Sequence, residues 1–377
     1  MGNIEVLLAD RSACTGCGLC YVVCLEKAIK MVEDSYTHFL YPEIDDTICI
    51  KCKKCTNNCP VLARKSDTHQ AIYVYAANNK NRRVRMNSAS GGLFGALSGK
   101  IIENGGAVAG VRYEGVDKCS HVVVTNKNEL EKLYGTKYFQ SNLYNCYKEI
   151  KNAFSNVDGQ ILFCGTPCQV DAVRKFVANE GKEDRFIGVD ILCRGIPNSF
   201  VQKKYIEHLE KKYGHRIESF QMKEKTRGWN NIGIMVGFDN GDTVYEYGLL
   251  SAYGKAFMIN NLSIRESCFN CQYKTIHRSS DITIGDFWEY RNSHLLDNLG
   301  TSFVMVNTKR GNELFESIKG QLDMEESTMW RVYRGNRPAF EKVVCDIGKR
   351  KAFWTGLNDG KDIEELLDDI YKNDHVE

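Results

Sequence analysis

The chain has no run of about 18 apolar residues, so no segment is long enough to cross a membrane as a helix. Residues 1–16 hold no unbroken apolar core of the kind a secretory leader needs, and the expected compartment is the cytoplasm. An excess of charge of one sign is missing too. Fifty Lys and Arg face 48 Asp and Glu, a net charge of +2 that supplies no broad basic face for nucleic acid. No G-x-G-x-x-G occurs, which removes the Rossmann dinucleotide fingerprint. The eight histidines form no motif, and no nucleophile–histidine–acid arrangement is readable; His277, beside Arg278, reads as a polar loop residue.

Cysteine is what the chain has in plenty. Sixteen cysteines in a chain without a leader point to metal-binding thiols rather than disulfides. Eight of them fall in two matching sets, Cys14-x2-Cys17-x2-Cys20-x3-Cys24 and Cys49-x2-Cys52-x2-Cys55-x3-Cys59, the second followed by Pro60. Three closely stepped thiolates hold three irons of a cubane from a loop too tight to reach the fourth, and in two-cluster ferredoxins the fourth cysteine crosses to the other cluster. The spacing therefore predicts one 4Fe-4S cluster on Cys14, Cys17, Cys20 and Cys59, and another on Cys49, Cys52, Cys55 and Cys24. Ala28, Ile29, Val61 and Leu62 are placed to give apolar cover. Structural zinc is the competing reading, but it normally takes two CxxC pairs separated by a longer gap. Leu25 stands where a proline usually follows the fourth cysteine; this removes no ligand.

At 377 residues, two or three domains are expected. Residues 1–66 form the two-cluster module, and residues 63–68 read as a polar linker. Strand-like runs follow at 72–76, 107–111, 161–164 and 186–192, with helices expected at 91–104, 168–177 and 198–212. Gly105-Gly106 ends the first of these helices. The turn at 238–242, carrying Asn240-Gly241, joins two short strands. Strand–helix alternation of this kind predicts α/β units around a mixed sheet, behind an N-terminal two-cluster ferredoxin-like domain. Residues 346–377 read as a charged, helical, solvated tail.

The other cysteines are scattered. Cys168 sits on the strand-to-helix turn Gly165-Thr166-Pro167-Cys168-Gln169, Cys193 ends an apolar strand, and Cys268-x2-Cys271 lies in a polar loop. Ligands collect at the carboxyl ends of strands in open α/β sheets, and these four thiols would suffice for a third cubane. Zinc, a redox disulfide or buried small hydrophobes fit the same residues. Cys119, Cys146 and Cys345 have no partners by spacing; Cys164 is a reserve ligand.

Five motifs then occur in order: Ser90-Gly91-Gly92, residues 135–141 (Gly-Thr-Lys-Tyr-Phe-Gln-Ser), residues 165–169, Cys268-x2-Cys271, and Asp281-x-Thr283-x-Gly285-Asp286-Phe287-Trp288. In this the chain resembles the beta-subunit family of coenzyme F420 hydrogenase/dehydrogenase with a fused ferredoxin, over about residues 70–345. The resemblance implies a flavin, FAD, and a cubane beside it on Cys168, Cys193, Cys268 and Cys271. It implies a flavin-binding region at 70–155 and a third-cluster region at 156–345. It also tips the Ser90-Gly91-Gly92 turn, otherwise an ordinary serine N-cap, toward pyrophosphate at a helix N-terminus. Lys137 becomes a candidate donor to the flavin, with Tyr138, Gln140 and Ser141 as further contacts; a lone lysine in a turn is more often on the surface. Asp286 is a candidate to orient the cluster loops, contact the ribityl chain or cap a helix. The basic run Lys80, Arg82, Arg83 and Arg85 is either a solvated loop or a dock for an acidic ferredoxin or phosphate, and residues 225–229 are a candidate substrate loop.

The expected function is an iron–sulfur flavoprotein oxidoreductase that passes electrons between a one-electron carrier, such as ferredoxin, and FAD, and from there to coenzyme F420 or another small organic acceptor. A ferredoxin-dependent reductase of another metabolite and a relay subunit without its own substrate site are the alternatives. Exposed cubanes tolerate oxygen poorly, so an anaerobic or low-oxygen host is expected.

Overall fold

The computed structural model describes residues 7–63, 68–288, 290–291 and 293–372. Most of the expected linker at 63–68 and the last acidic residues, 373–377, lie outside the described residues.

The N-terminal module is a hairpin of β1 (Ile29–Glu33) and β2 (Leu40–Ile44), flanked by the short helices Leu19–Val23 and Lys54–Asn58. Each helix starts inside its own cysteine motif, which places the third cysteine of the set on a rigid turn. β3 (Tyr73–Asn79), β4 (Ala107–Tyr113), β5 (Cys119–Val124), β6 (Ile161–Gly165) and β7 (Phe186–Ile191) then enter one large sheet. A separate three-stranded antiparallel sheet is made by β8 (Ile217–Glu224), β9 (Gly233–Phe238) and β10 (Thr243–Tyr247), the last two joined by the expected turn. β11 (Ile282–Asp286), β12 (Ser302–Val306) and β13 (Leu322–Glu326) complete the large sheet. Its eight strands run β13-β3-β12-β11-β7-β6-β4-β5, parallel from β11 to β4 and antiparallel at both flanks. This is the mixed-sheet α/β architecture the alternation predicts.

Period-two alternation decides which side chain goes where. Along β6, Leu162 joins one buried layer with Val108, Ile187 and helix Leu93–Glu103, while Ile161 and Phe163 join the opposite layer under helices Tyr144–Asn156 and Pro167–Asn179. Leu19 of the cluster module, fully buried, belongs to that second layer, so the module is built into the body of the protein.

The solvated tail expected at 346–377 is corrected by two packed helices, Ile347–Asn358 and Ile363–Tyr371. Phe353, Trp354 and Leu357 from the first, and Ile363, Leu366 and Leu367 from the second, are buried with β8, β9 and helix Ser199–Tyr213. Most of the charges read as a solvated tail lie on the outward faces of these helices, while Arg350 reaches the Ile264 carbonyl and Asp362 pairs with buried His208.

Candidate functional site

Two cavities occupy the N-terminal module. Cys14, Cys17, Cys20 and Cys59 line one of about 410 Å³, counting its open mouth, together with Met31, Pro42, Pro60 and Val61. Cys24, Cys49, Cys52 and Cys55 line the other, about 350 Å³, with Ala28, Ile29, Ile44 and Ile50. The fourth cysteine of each motif thus stands with the first three of the other. Among the described residues, no group of three or more His, Cys, Asp or Glu is spaced to hold a metal ion as it stands. Burial pushes the Cys17 thiol up to about 12, and Cys20 and Cys55 are also raised by burial. Cys17 and Cys20, buried against one apolar space, carry charge readily only when a cation shares it. The donor set, the space and the apolar lining fit a cubane in each cavity.

The two halves of the repeat face different surroundings. Gly16 and Gly18 lie in the left-handed region, φ +71° and +73°, where the loop turns against the α/β body. A Cβ on Gly16 would come within 2.7 Å of the Arg265 guanidinium, and one on Gly18 would collide with the Tyr144 ring. Arg265, 1% exposed, donates from Nε to the Cys14 carbonyl (2.7 Å), from Nη2 to the Leu40 carbonyl (2.9 Å) and from Nη1 to Gln140 Oε1 (3.2 Å). Its Nη2 also lies 3.8 Å from Cys14 Sγ, and its cation sits 4.3 Å from the Tyr41 ring centre. The same residue's carbonyl accepts from the Cys268 amide (2.9 Å), so one arginine spans the inner cavity and the CxxC loop.

Cys168, Cys193, Cys268 and Cys271 converge. Cys168 begins helix Pro167–Asn179 behind a Thr166–Gln169 capping box, Cys193 follows β7, and Cys268 closes the turn Glu266–Cys268. Burial raises all four thiols, Cys193 to about 12 and Cys268 to about 11, and the other three press on Cys168 as like charges. Cys164 stands apart from this group, with Asp190 and Lys137 as its charged neighbours.

Beside Cys193 lies a cluster of charged and aromatic side chains that the sequence reading found only in part. β8 carries an irregularity between Met222 and Glu224 that puts Lys223 at φ +54° and turns its side chain inward, as a bulge does. Lys223 Nζ is ion-paired with Asp286 Oδ2 and lies 5.6 Å from the Trp288 ring centre. Burial pulls the Lys223 ammonium down, Asp286 and Tyr138 outweigh it, and the net shift is upward. Burial raises the Tyr138 phenol, against the pull of Lys223. Trp288 stacks on Trp229 at 4.2 Å, and Trp229 packs beside Gly300, which in turn meets Ser90. Arg194 Nε and Trp229 Nε1 are buried donors without partners among the described residues. A contiguous path of side chains thus joins Cys193 and Arg194 to the Ser90 turn.

The expected flavin contacts divide. Tyr138 belongs to the cluster of Lys223, Asp286 and Arg194. Ser90 Oγ donates to the Thr301 carbonyl (3.0 Å), Gly91 N–H donates to Ser302 Oγ (2.9 Å), and Gly92 (φ +82°) starts helix Leu93–Glu103 with no side-chain cap. Buried Lys225 donates to the carbonyls of Arg85, Ser90 and Leu299, while burial draws its pKa down to about 7. Lys137 is no surface lysine: its Nζ donates to the carbonyls of Leu133 (3.1 Å) and Tyr134 (2.7 Å), and burial lowers it to about 8. Gln140 donates to the Thr15 carbonyl (3.1 Å) in the cluster module, and Ser141 bonds His121 Nδ1 (2.9 Å). The basic run is engaged rather than free, with Arg83 paired to Glu131, Arg85 to Asp297, and Lys80 bonded to the Gly320 carbonyl. Arg265, Lys223 and Arg194 escaped the sequence reading because single buried cations carry no spacing signal.

Residues 158–329 match the model for the C terminus of the coenzyme F420 hydrogenase/dehydrogenase beta subunit. Over those residues, a little under half of the chain, the protein is similar to that family. Residues 13–63 match the 4Fe-4S dicluster domain, so this beta-subunit relative carries an iron–sulfur, electron-transfer module at its N-terminus. No curated protein matches the chain. One solved chain it matches belongs to the xenon-derivatised F420-reducing NiFe hydrogenase complex of Methanosarcina barkeri, at 18% identity and a TM-score of 0.48, over 73% of this chain and 90% of that one. No helix among the described residues is long and apolar enough to cross a membrane.

Proposed function

We propose that this beta-subunit relative is an iron–sulfur flavoprotein oxidoreductase of the cytoplasm of an anaerobic or low-oxygen host. It holds two 4Fe-4S clusters in the N-terminal module on the crossed cysteine sets, a third on Cys168, Cys193, Cys268 and Cys271, and FAD along the path from the Ser90 turn to Arg194. A cubane exchanges single electrons and a flavin one or two, which gives a converter between a one-electron carrier and a two-electron organic substrate. Coenzyme F420 is the substrate the family name points to, and another small acceptor fits the same chemistry.

The observation that carries the reading is the run of neighbouring charged and aromatic side chains from Arg194, beside Cys193, to an uncapped helix N-terminus. The helix N-terminus beyond Gly92 offers amide donors to a pyrophosphate, with Ser90 and Gly91 anchored to Thr301 and Ser302. Lys223, fixed by Asp286 and Tyr138, supplies a buried positive charge where a reduced, anionic ring would lie. Arg194 Nε and Trp229 Nε1 offer the donors still to be satisfied. The Trp229–Trp288 stack supplies an apolar wall.

The test is iron, sulfide and flavin content with a visible spectrum on anaerobically purified protein. About twelve irons and one flavin per chain are expected for three cubanes and the flavin. About eight irons without flavin would reduce the chain to a relay subunit. Lys223→Met is expected to weaken flavin retention at least tenfold while leaving iron content intact.

A further inference from the structure

The duplicated cysteine motif differs at two matched backbone positions. In the first copy Gly16 and Gly18 take left-handed φ values, and the glycines are required because Arg265 and Tyr144 press on them. In the second copy the same two positions are Lys51 and Lys53, at φ +57° and +59°, and both are exposed. Lys27, which follows Cys24 on the same cavity's rim, is exposed at φ +53°. Lysine is disfavoured in this conformation and glycine is not, so local backbone preference does not account for three lysines here. None of Lys27, Lys51, Lys53 and Lys54 has an ion-pair partner among the described residues. Glu26 is the acid lining the cavity they surround.

The same surface is apolar at its centre. Leu25 is 72% exposed and Ile50 65%, next in the chain to Cys24 and Cys49, and Cys52 of the same cavity is itself exposed. Leu25 occupies the place where a proline usually follows the fourth cysteine of the motif. An apolar centre around an outward-facing redox site, fringed by unpaired cations, matches a small acidic protein with its own redox centre near the surface.

We propose that this face, and not the basic run at residues 80–85, is the docking surface for an acidic one-electron carrier protein. This rests on the redox reading above, with the Cys24, Cys49, Cys52 and Cys55 site as the outermost station. One electron leaves the reduced carrier, which is oxidised by one, and the outer site is reduced by one; no proton or group is transferred. The lysines steer the encounter and the apolar centre sets the contact distance.

The test uses a dithionite-reduced acidic two-cluster ferredoxin, freed of dithionite, as the probe in anaerobic stopped-flow against the full chain. The bimolecular rate is expected to fall at least tenfold as ionic strength rises from about 0.02 to about 0.5 M. In the K27E/K51E variant, which alters neither a cysteine nor a cavity-lining residue, the low-salt rate is expected to fall at least fivefold, with iron content and direct dithionite reduction as in the wild type. A salt-independent rate, unchanged in the variant, overturns the docking surface and leaves the redox reading standing. A dimer in solution that the variant dissociates would assign the face to a second copy and also overturns the proposal. Absence of iron and sulfide from the purified protein overturns the redox reading, and the docking surface with it.

Discussion

Arg265 is the residue on which the inner cluster site and the CxxC loop both depend. It is buried, bonded to the Cys14 carbonyl, and close to Cys14 Sγ, while its own carbonyl holds the Cys268 amide. A fixed cation beside a thiolate cage favours the more negative, reduced state. Arg265→Gln should therefore lower the potential of one cluster by about 59 mV, a tenfold shift in its one-electron equilibrium. An EPR-monitored titration reading unchanged potentials in iron-replete protein would remove Arg265 from that role. His121 makes a second residue-scale prediction. Its Nε2–H donates to the Cys164 carbonyl (3.1 Å), and Nδ1 accepts from Ser141, whose oxygen accepts from Gln169. Both bonds suit the neutral ring, and burial lowers its pKa to about 4. The unfolded chain, with a histidine pKa near 6.5, binds more protons between these values, so this contribution is complete above about pH 6.5 and is lost as pH falls toward 4. The loss is on the order of 3 kcal/mol. His121→Gln should flatten the fall in melting temperature between pH 7 and 5; a parallel fall in both proteins would show that another group titrates.

Elements were legible where local chemistry and packing agree. β6 and the helix Pro167–Asn179 follow from an apolar run, then Thr166 with Gln169 three residues later and a proline in the first turn. β9, the turn and β10 follow from Asn240-Gly241 between alternating strands. The C-terminal helices were read as charged tail, although Ile363, Leu366 and Leu367 already stand at i, i+3 and i+4. The charges between them belong to the solvent face. Trp354→Ala is expected to destabilise the protein by about 3–5 kcal/mol, because the ring is fully buried among Phe39, Phe353 and the Arg350 guanidinium. A melting temperature within 2 °C or so of the wild type would return these helices to the status of an appendage.

At the scale of the whole molecule, the cluster module is part of the core. Leu19 lies within the layer formed by Tyr147, Phe163 and Phe176, while Phe39 and Tyr41 join the layer of the C-terminal helices. Tyr147 donates to the Cys17 carbonyl (3.1 Å), Asn198 to that of Thr37 (2.6 Å), and Lys175 to that of Ala63 (2.8 Å). A chain beginning at residue 68 should therefore expose apolar surface and be recovered mainly as aggregate; a stable, monodisperse product would show that the two parts are autonomous.

The cysteine spacing by itself determined the module and pointed to the crossed sharing of its ligands, because three thiols two residues apart cannot close a cubane alone. Strand and helix order followed from local periodicity, since alternation and caps act within a few residues. Tertiary structure alone decided the rest. It turned Lys223 inward through a bulge, set Arg265 between two cysteine groups, gave Gln140 to the cluster loop and Ser141 to His121, and directed one half of a sequence repeat inward and the other to solvent. These placements depend on contacts between residues distant in the chain, and a side chain's surroundings leave no periodic mark on its own sequence.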